Sequence, residues 1–176
     1  MNWNDITIKQ FYELQKINNL YDDEFDRKLA MIAICQGVDF EEALEYRVHY
    51  VAELSKKYEF LNEPMKTKVV TRWKDYNFEL KLSNLKAGQM IDFLETCKED
   101  VETKLHIILA ILDNGKVDFE TKEKDLLDCP VPIVKGISDF FFHKYEMSQR
   151  IIQEYSLQKL KKMSKILKNQ LKEAAL

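Results

Sequence analysis

Along most of this chain apolar residues recur at steps of three and four, the period of a helix with one buried stripe. In "ITIKQF", Thr7 as N-cap and Gln10 three residues on make a capping box, with Ile6 and Phe11 placed as a hydrophobic staple. A helix is therefore expected from Ile8, with Phe11, Leu14 and Ile17 inward. "NNLYDD" interrupts it, and Asp22 or Asp23 caps a second helix with Phe25, Leu29, Ile32 and Ala33 inward, ending at Gly37. Asp39 and Glu42 repeat the capping-box spacing before the acidic run "FEEALEY", which either continues or restarts through "VHYVAELSKKYEFL". Pro64 closes this helical part, because a residue before proline is pushed out of the helical region.

The period then changes to two. Val69, Thr71 and Trp73 alternate with Val70, Arg72 and Lys74, and Tyr76, Phe78, Leu80 and Leu82 alternate with polar residues, which predicts a hairpin turning near Lys74 and Asp75. Helical spacing returns in "LKAGQMIDFLE", with Met90, Ile91 and Leu94 as its apolar positions. There Gly88 and Gln89 fall in a first turn entered from a strand, where a side chain would foul the hairpin and a Gln can satisfy free backbone donors. "VETKLHIILAILDNG" is apolar nearly all round from Leu105 to Leu112, which marks it as the central buried helix, ended by Asn114 and Gly115.

"CPVPIVKGISDFFFHKY" opens with prolines suited to a first turn and sets Val134, Ile137 and Phe141 on one stripe. From Met147 to Leu176 the pattern is one long amphipathic helix with Leu160, Met163, Leu167, Leu171 and Ala174 at three- and four-residue steps. The fold class expected is mainly α: a multi-helix bundle with one β-hairpin and a long C-terminal amphipathic helix. Residues 1–62 form an N-terminal helical part, 63–145 the hairpin and central helices of the same globular domain, and 146–176 the basic helix.

Length and composition fit one globular domain. The 176 residues include only four glycines and three prolines, too few for a linker-rich or disordered chain. A net charge of −3 hides an asymmetry: residues 143–176 hold eight Lys/Arg against three Glu, a net +5, and residues 1–142 carry −8. A basic helical tail suits an acidic partner, a membrane surface or nucleic acid, but more often it is simply the solvated face of a helix. Cys35, Cys97 and Cys129 form no CxxC pair and no zinc spacing, which points to a reducing compartment. No run approaches the ~18 apolar residues of a membrane span, so a soluble, cytoplasmic product is expected.

Searching for chemistry excludes more than it finds. Neither GxGxxG nor GxxxxGK[ST] is present, there is no GxSxG elbow, and the three histidines lie far apart without a nucleophile beside them. Glu45 with His49, and Glu102 with His106, stand four apart, one residue longer than the Glu-x-x-His spacing of di-metal carboxylate bundles. Each pair reads as a local helix contact, and His106, among Leu105, Ile107 and Ile108, as a hydrogen-bonded core or interface residue. Phe140, Phe141 and Phe142 are consecutive and span about 200° of a helix, so at least one is directed away from the core stripe. The lysines of the tail lack interleaved aromatics beyond Tyr155, which argues against nucleic acid. No enzyme, metal or cofactor is predicted.

Taken in order, "WNDITIKQFYEL", a helical segment ending "EFLNEP", a hairpin, "LKAGQMIDFLE", an apolar helix and "DCPVPIVKGISDFFFHKY" resemble the small tail assembly chaperones of tailed bacteriophages, particularly long-tailed phages of Bacteroidetes hosts. The resemblance covers most of residues 3–145; Lys86-Ala87 stands where the family pattern has a Thr cap, and the segment after 146 has no counterpart. It implies a non-enzymatic protein of the host cytoplasm that binds the helical tape measure protein and promotes assembly of tail tube subunits. Partner contacts are then expected at Phe140 and Phe142 and along Leu160, Met163, Leu167 and Leu171, by burial of apolar surface between helices. A structural or packaged virion component is the alternative. The long stripe also allows a homo-oligomer, and no membrane partner is expected.

Overall fold

Helices dominate the computed structural model, which describes residues 1–98, 101–150 and 153. The chain divides into two compact units, Met1–Asp139 and Phe140–Leu176. In the first unit a short 3-10 turn, Trp3–Asp5, is capped by Asn2 and leads into α1, Ile8–Leu20. The capping box forms as the sequence predicts: Gln10 N–H donates to Thr7 Oγ1 (3.2 Å) and Thr7 N–H to Gln10 Oε1 (3.0 Å). The first two donors of α1 find partners far along the chain, since Ile8 N–H reaches the Cys129 carbonyl (2.9 Å) and Lys9 N–H the Leu127 carbonyl (3.0 Å). Val131 N–H returns the bond to the Ile6 carbonyl (2.9 Å), and Thr7 pairs with Pro130 as an antiparallel bridge. The four donors that a helix leaves free at its start, Thr7 to Gln10, are thereby all satisfied.

Asp23 caps α2, Glu24–Gln36, through Phe25 and Asp26 N–H, and Gly37 ends it at φ +72°, the left-handed conformation that glycine adopts without strain. Leu29, Ile32 and Ala33 are buried as expected; Phe25, in the first turn, is not, because a helix end has neighbours on one side only. Asp39 occupies the N-cap of α3, Phe40–Leu44, but makes no side-chain capping bond, and the chain breaks at Glu45–Arg47 before α4, Val48–Lys57. Helices α1, α3 and α4 pack on α2, and a 3-10 turn, Glu59–Asn62, follows α4.

The hairpin is shorter than the alternation suggests. Strands β1, Arg72–Trp73, and β2, Tyr76–Asn77, pair across a Lys74–Asp75 turn, with Lys74 at φ +50°. On either side the backbone bonds elsewhere: Lys68 N–H to the Pro132 carbonyl (2.8 Å), and Glu79 N–H to the Leu112 carbonyl (2.8 Å). A period of two reports which side chains share a face, not whether a neighbouring strand is available. The approach of Lys68 to the last helix of this unit, at 131–139, requires Gly136, where an added Cβ would stand 2.3 Å from the Lys68 carbonyl oxygen.

Helix α5, Ala87–Thr96, is anchored by Gln89, whose Oε1 accepts Lys86 N–H (3.1 Å) and whose Nε2 donates to the Ile111 carbonyl (2.6 Å). Gln89 thus does what the sequence suggests. Gly88 does not: a Cβ there would meet nothing within 4 Å, so no clash with the hairpin demands it. Gln89 ties α5 to α6, and Phe93, one helical turn on, is fully buried, whereas Ile91 is 56% exposed. Helix α6, Leu105–Leu112, is the buried centre, with every residue but Ile107 buried.

One helix was not anticipated. α7, Phe119–Leu126, has few apolar residues, yet Asp118 caps it through Thr121 N–H (2.9 Å) and Leu126 is fully buried. Its Lys122 is only 7% exposed and turns its ammonium onto the end of α6, within 3.0 Å of Asp113 Oδ2, 3.2 Å of the Asp113 carbonyl and 3.1 Å of the Gly115 carbonyl. Asp113 in turn accepts Asn77 N–H (2.7 Å) and Gly115 N–H (3.0 Å), so one buried carboxylate ties β2, α6 and α7 together. Tyr76 adds a bond from its hydroxyl to Asp125 Oδ2 (2.6 Å).

In the second unit, residues 140–150 are helical. Phe141 is buried, and Phe140 and Phe142 are half-buried.

Candidate partner-binding site

A cleft of about 390 Å³ runs along α1 and α2 in the first unit. Phe11, Leu14 and Ile17 come from one face of α1 and Met31 from α2; Trp3 and Leu61 enter from the two 3-10 turns. Trp3 is held as a wall by its indole N–H, which donates to the Glu63 carbonyl (3.1 Å), and by edge contacts to Phe60 (5.8 Å) and Phe11 (6.5 Å). Such a wall is built from the ends of a 60-residue separation, so the cleft exists only when the N-terminal turn and the end of α4 are both in place.

Glu24, Arg27 and Lys28 edge this cleft from α2. Glu24 and Lys28 pair with each other at 2.7 Å, and that hydrogen bond, reinforced by the Lys28 charge, holds the Glu24 carboxyl below the usual range. Arg27 has no ion-pair partner among the described residues. The arrangement is an apolar slot with Glu24, Arg27 and Lys28 on its rim, suited to an apolar helix face with a charged flank.

Behind the cleft, α1 rests on α6 through Tyr12 and His106. The Tyr12 hydroxyl lies 3.0 Å from His106 Nδ1 and accepts the His106 backbone N–H at 3.3 Å, with the rings edge to face at 5.5 Å. His106 Nε2 is 3.8 Å from Glu123 Oε1 of α7. Burial lowers the imidazole pKa and Glu123 partly opposes it; burial also raises the Tyr12 phenol to about 12. The sequence reading of His106 as a hydrogen-bonded core residue holds.

Other sequence-derived pairs fare differently. Glu45 ends α3 whereas His49 lies in α4, and Glu102 sits in a 3-10 turn before α6, so neither pair shares a helical face with its histidine. Among the described residues no three His, Cys, Asp or Glu side chains gather as metal ligands, and no helix is long and apolar enough to cross a membrane. Phe140 and Phe142 keep part of their surface open, with the Lys144 ammonium 5.5 Å from the Phe140 ring centre. Leu160, Met163, Leu167 and Leu171 lie outside the described residues.

The cleft itself was missed. Periodicity places Phe11, Leu14 and Ile17 on a buried stripe, and of these only Ile17 is buried. The remaining signal was Trp3, an aromatic at an early polar turn with no helix of its own to pack in. Comparison of this chain with known protein families, with characterised proteins and with solved structures returns no match.

Proposed function

We propose that this protein is a non-enzymatic assembly chaperone of a tailed bacteriophage. It acts in the host cytoplasm by holding an apolar helical segment of the tape measure protein while tail tube subunits assemble. The observation that carries the reading is the α1–α2 cleft, open and apolar along Phe11, Leu14 and Met31, with the Arg27 guanidinium on its rim. A tape measure is long and helical, and its apolar stripes need cover until the tube encloses them. The half-open Phe140 and Phe142, and the stripe Leu160, Met163, Leu167 and Leu171, supply a second contact in this reading.

The test is co-expression with the tape measure protein of the same genome, followed by co-purification. Wild type is expected to retain it in soluble form. Met31→Asp with Leu14→Asp should release it, and Leu160→Asp with Leu167→Asp should weaken retention. Wild-type retention by both double variants would remove both surfaces, and with them the mechanism. Mass spectrometry of particles beside infected lysate adds the second arm: presence at a fixed copy number in particles would replace the chaperone by a structural virion component.

A further inference from the structure

His106 is the second residue of α6, so its backbone N–H is one of the donors that a helix leaves unsatisfied at its start. Tyr12 of α1 fills that role, its hydroxyl oxygen accepting the N–H at 3.3 Å. The same hydroxyl lies 3.0 Å from Nδ1 of the ring. A hydroxyl whose oxygen accepts the backbone N–H is placed to give its own proton to Nδ1, the arrangement in which Nδ1 is unprotonated. The neutral ring therefore carries its proton on Nε2, the nitrogen turned to Glu123.

Adding a proton to this ring is opposed in three ways. Nδ1 becomes a donor, so the Tyr12 hydroxyl loses its acceptor and must receive two N–H groups. The charge is formed at a residue 8% exposed. It is also formed in the first turn of a helix, where the aligned peptide dipoles repel a cation. The groups that face the ring are Tyr12 from α1 and Glu123 from α7. Glu102 and Lys104 flank it on its own segment, α5 presents Asp92 and Glu95 to the neighbouring cleft beside Ile107 and Ile111, and Lys122 of α7 is engaged by Asp113. Glu123 favours the imidazolium, from 3.8 Å and with its side chain 40% exposed.

We propose that the Tyr12–His106 contact is an acid-sensitive latch that seats α1, and with it one wall of the Phe11–Leu14 cleft, against α6. At neutral pH the latch is closed and the cleft is formed; acid opens it by detaching α1 locally. The regulatory part of this inference rests on the cleft being the partner-binding surface.

The experiment is an NMR titration of the full chain from pH 8 to pH 5, following the imidazole signals and, in parallel, backbone hydrogen exchange corrected for intrinsic rates. His106 is expected as the Nε2–H form at pH 7, titrating below the ordinary histidine range. Protection of α1 amides should fall by up to about tenfold per pH unit below about 6.5, until His106 titrates in the folded state, while the α6 amides Leu109–Leu112 hold theirs. Equal loss in α1 and α6 would make the effect global and overturn the latch, as would a His106 that titrates at or above the ordinary histidine value of about 6.5. His106→Asn, which keeps a neutral acceptor near the Nδ1 position, should abolish the acid response; an unchanged response refutes the assignment. Retention of the tape measure protein at pH 7.5 and pH 5.5 separates the two readings. Binding at neither pH defeats the chaperone reading and leaves the latch to the NMR data, whereas equal binding at both, with α1 open at the lower, defeats the regulation.

Discussion

Lys122→Met should be one of the most damaging single substitutions in the first unit, although Lys122 lies in a helix with few apolar residues. The ammonium and the Asp113 carboxylate are 3.0 Å apart, with their side chains 9% and 0% exposed. Removing one member of a buried pair strands the other charge, at a cost of about 3–5 kcal/mol. In Lys122→Met the carboxylate keeps two backbone donors, Asn77 and Gly115, which sets the expectation at the lower end, about 3 kcal/mol. The α6 carboxyl end also loses the cation that sits on its carbonyls. Against a domain stability of about 5–15 kcal/mol this is a large fraction.

Asp113→Asn leaves the ammonium with carbonyl partners alone and should cost a similar amount. The double variant removes both charges, so a coupling energy of about 2 kcal/mol or more is expected between the two sites. Urea unfolding followed by circular dichroism measures all three. A loss under about 1 kcal/mol for Lys122→Met, the range of an exposed ion pair, would refute the claim that this pair is a buried tie between β2, α6 and α7.

Two glycines give opposite expectations under one substitution. Gly136→Ala places a methyl 2.3 Å from the Lys68 carbonyl and should destabilise by about 1–3 kcal/mol or more, whereas Gly88→Ala, in open space within α5, should stabilise by about 0.5–1 kcal/mol; thermal melts compare them directly. Thr7→Ala removes the α1 cap and should cost about 1 kcal/mol by the same melts. Burial pushes the Cys35 and Cys129 thiols up to about 12, so iodoacetamide at pH 8 should label the half-buried Cys97 first and reach the other two only in denaturant, as peptide mass mapping will show.

Where a structural choice is made by adjacent residues, it was legible in the chain. Thr7 and Gln10 set the start of α1, Gly37 the end of α2, and the unbroken apolar run 105–112 the buried centre. What could not be read were choices made by distant partners. Lys122 looks like a solvated helix residue until Asp113, nine positions earlier, is folded against it. The alternation through Val69 and Val70 looks like a strand, but the backbone at Lys68 is taken by Pro132. The cleft was hidden for the same reason: periodicity marks Phe11 and Leu14 as apolar, and only the placement of Trp3 and Leu61 decides that they line an opening.

The bonds from Ile8 and Lys9 to the carbonyls of Cys129 and Leu127 also bear on when this fold can be finished. A ribosome makes about 5–20 residues per second, so the start of α1 is in solution for several seconds before its partners at 127–131 exist. During that interval two donors at its amino end have only water to bond. A segment made more than a hundred residues before its partners is therefore among the last to be locked, and while the chain is still growing the wall that Phe11 and Leu14 form is held by the N-terminal bundle alone.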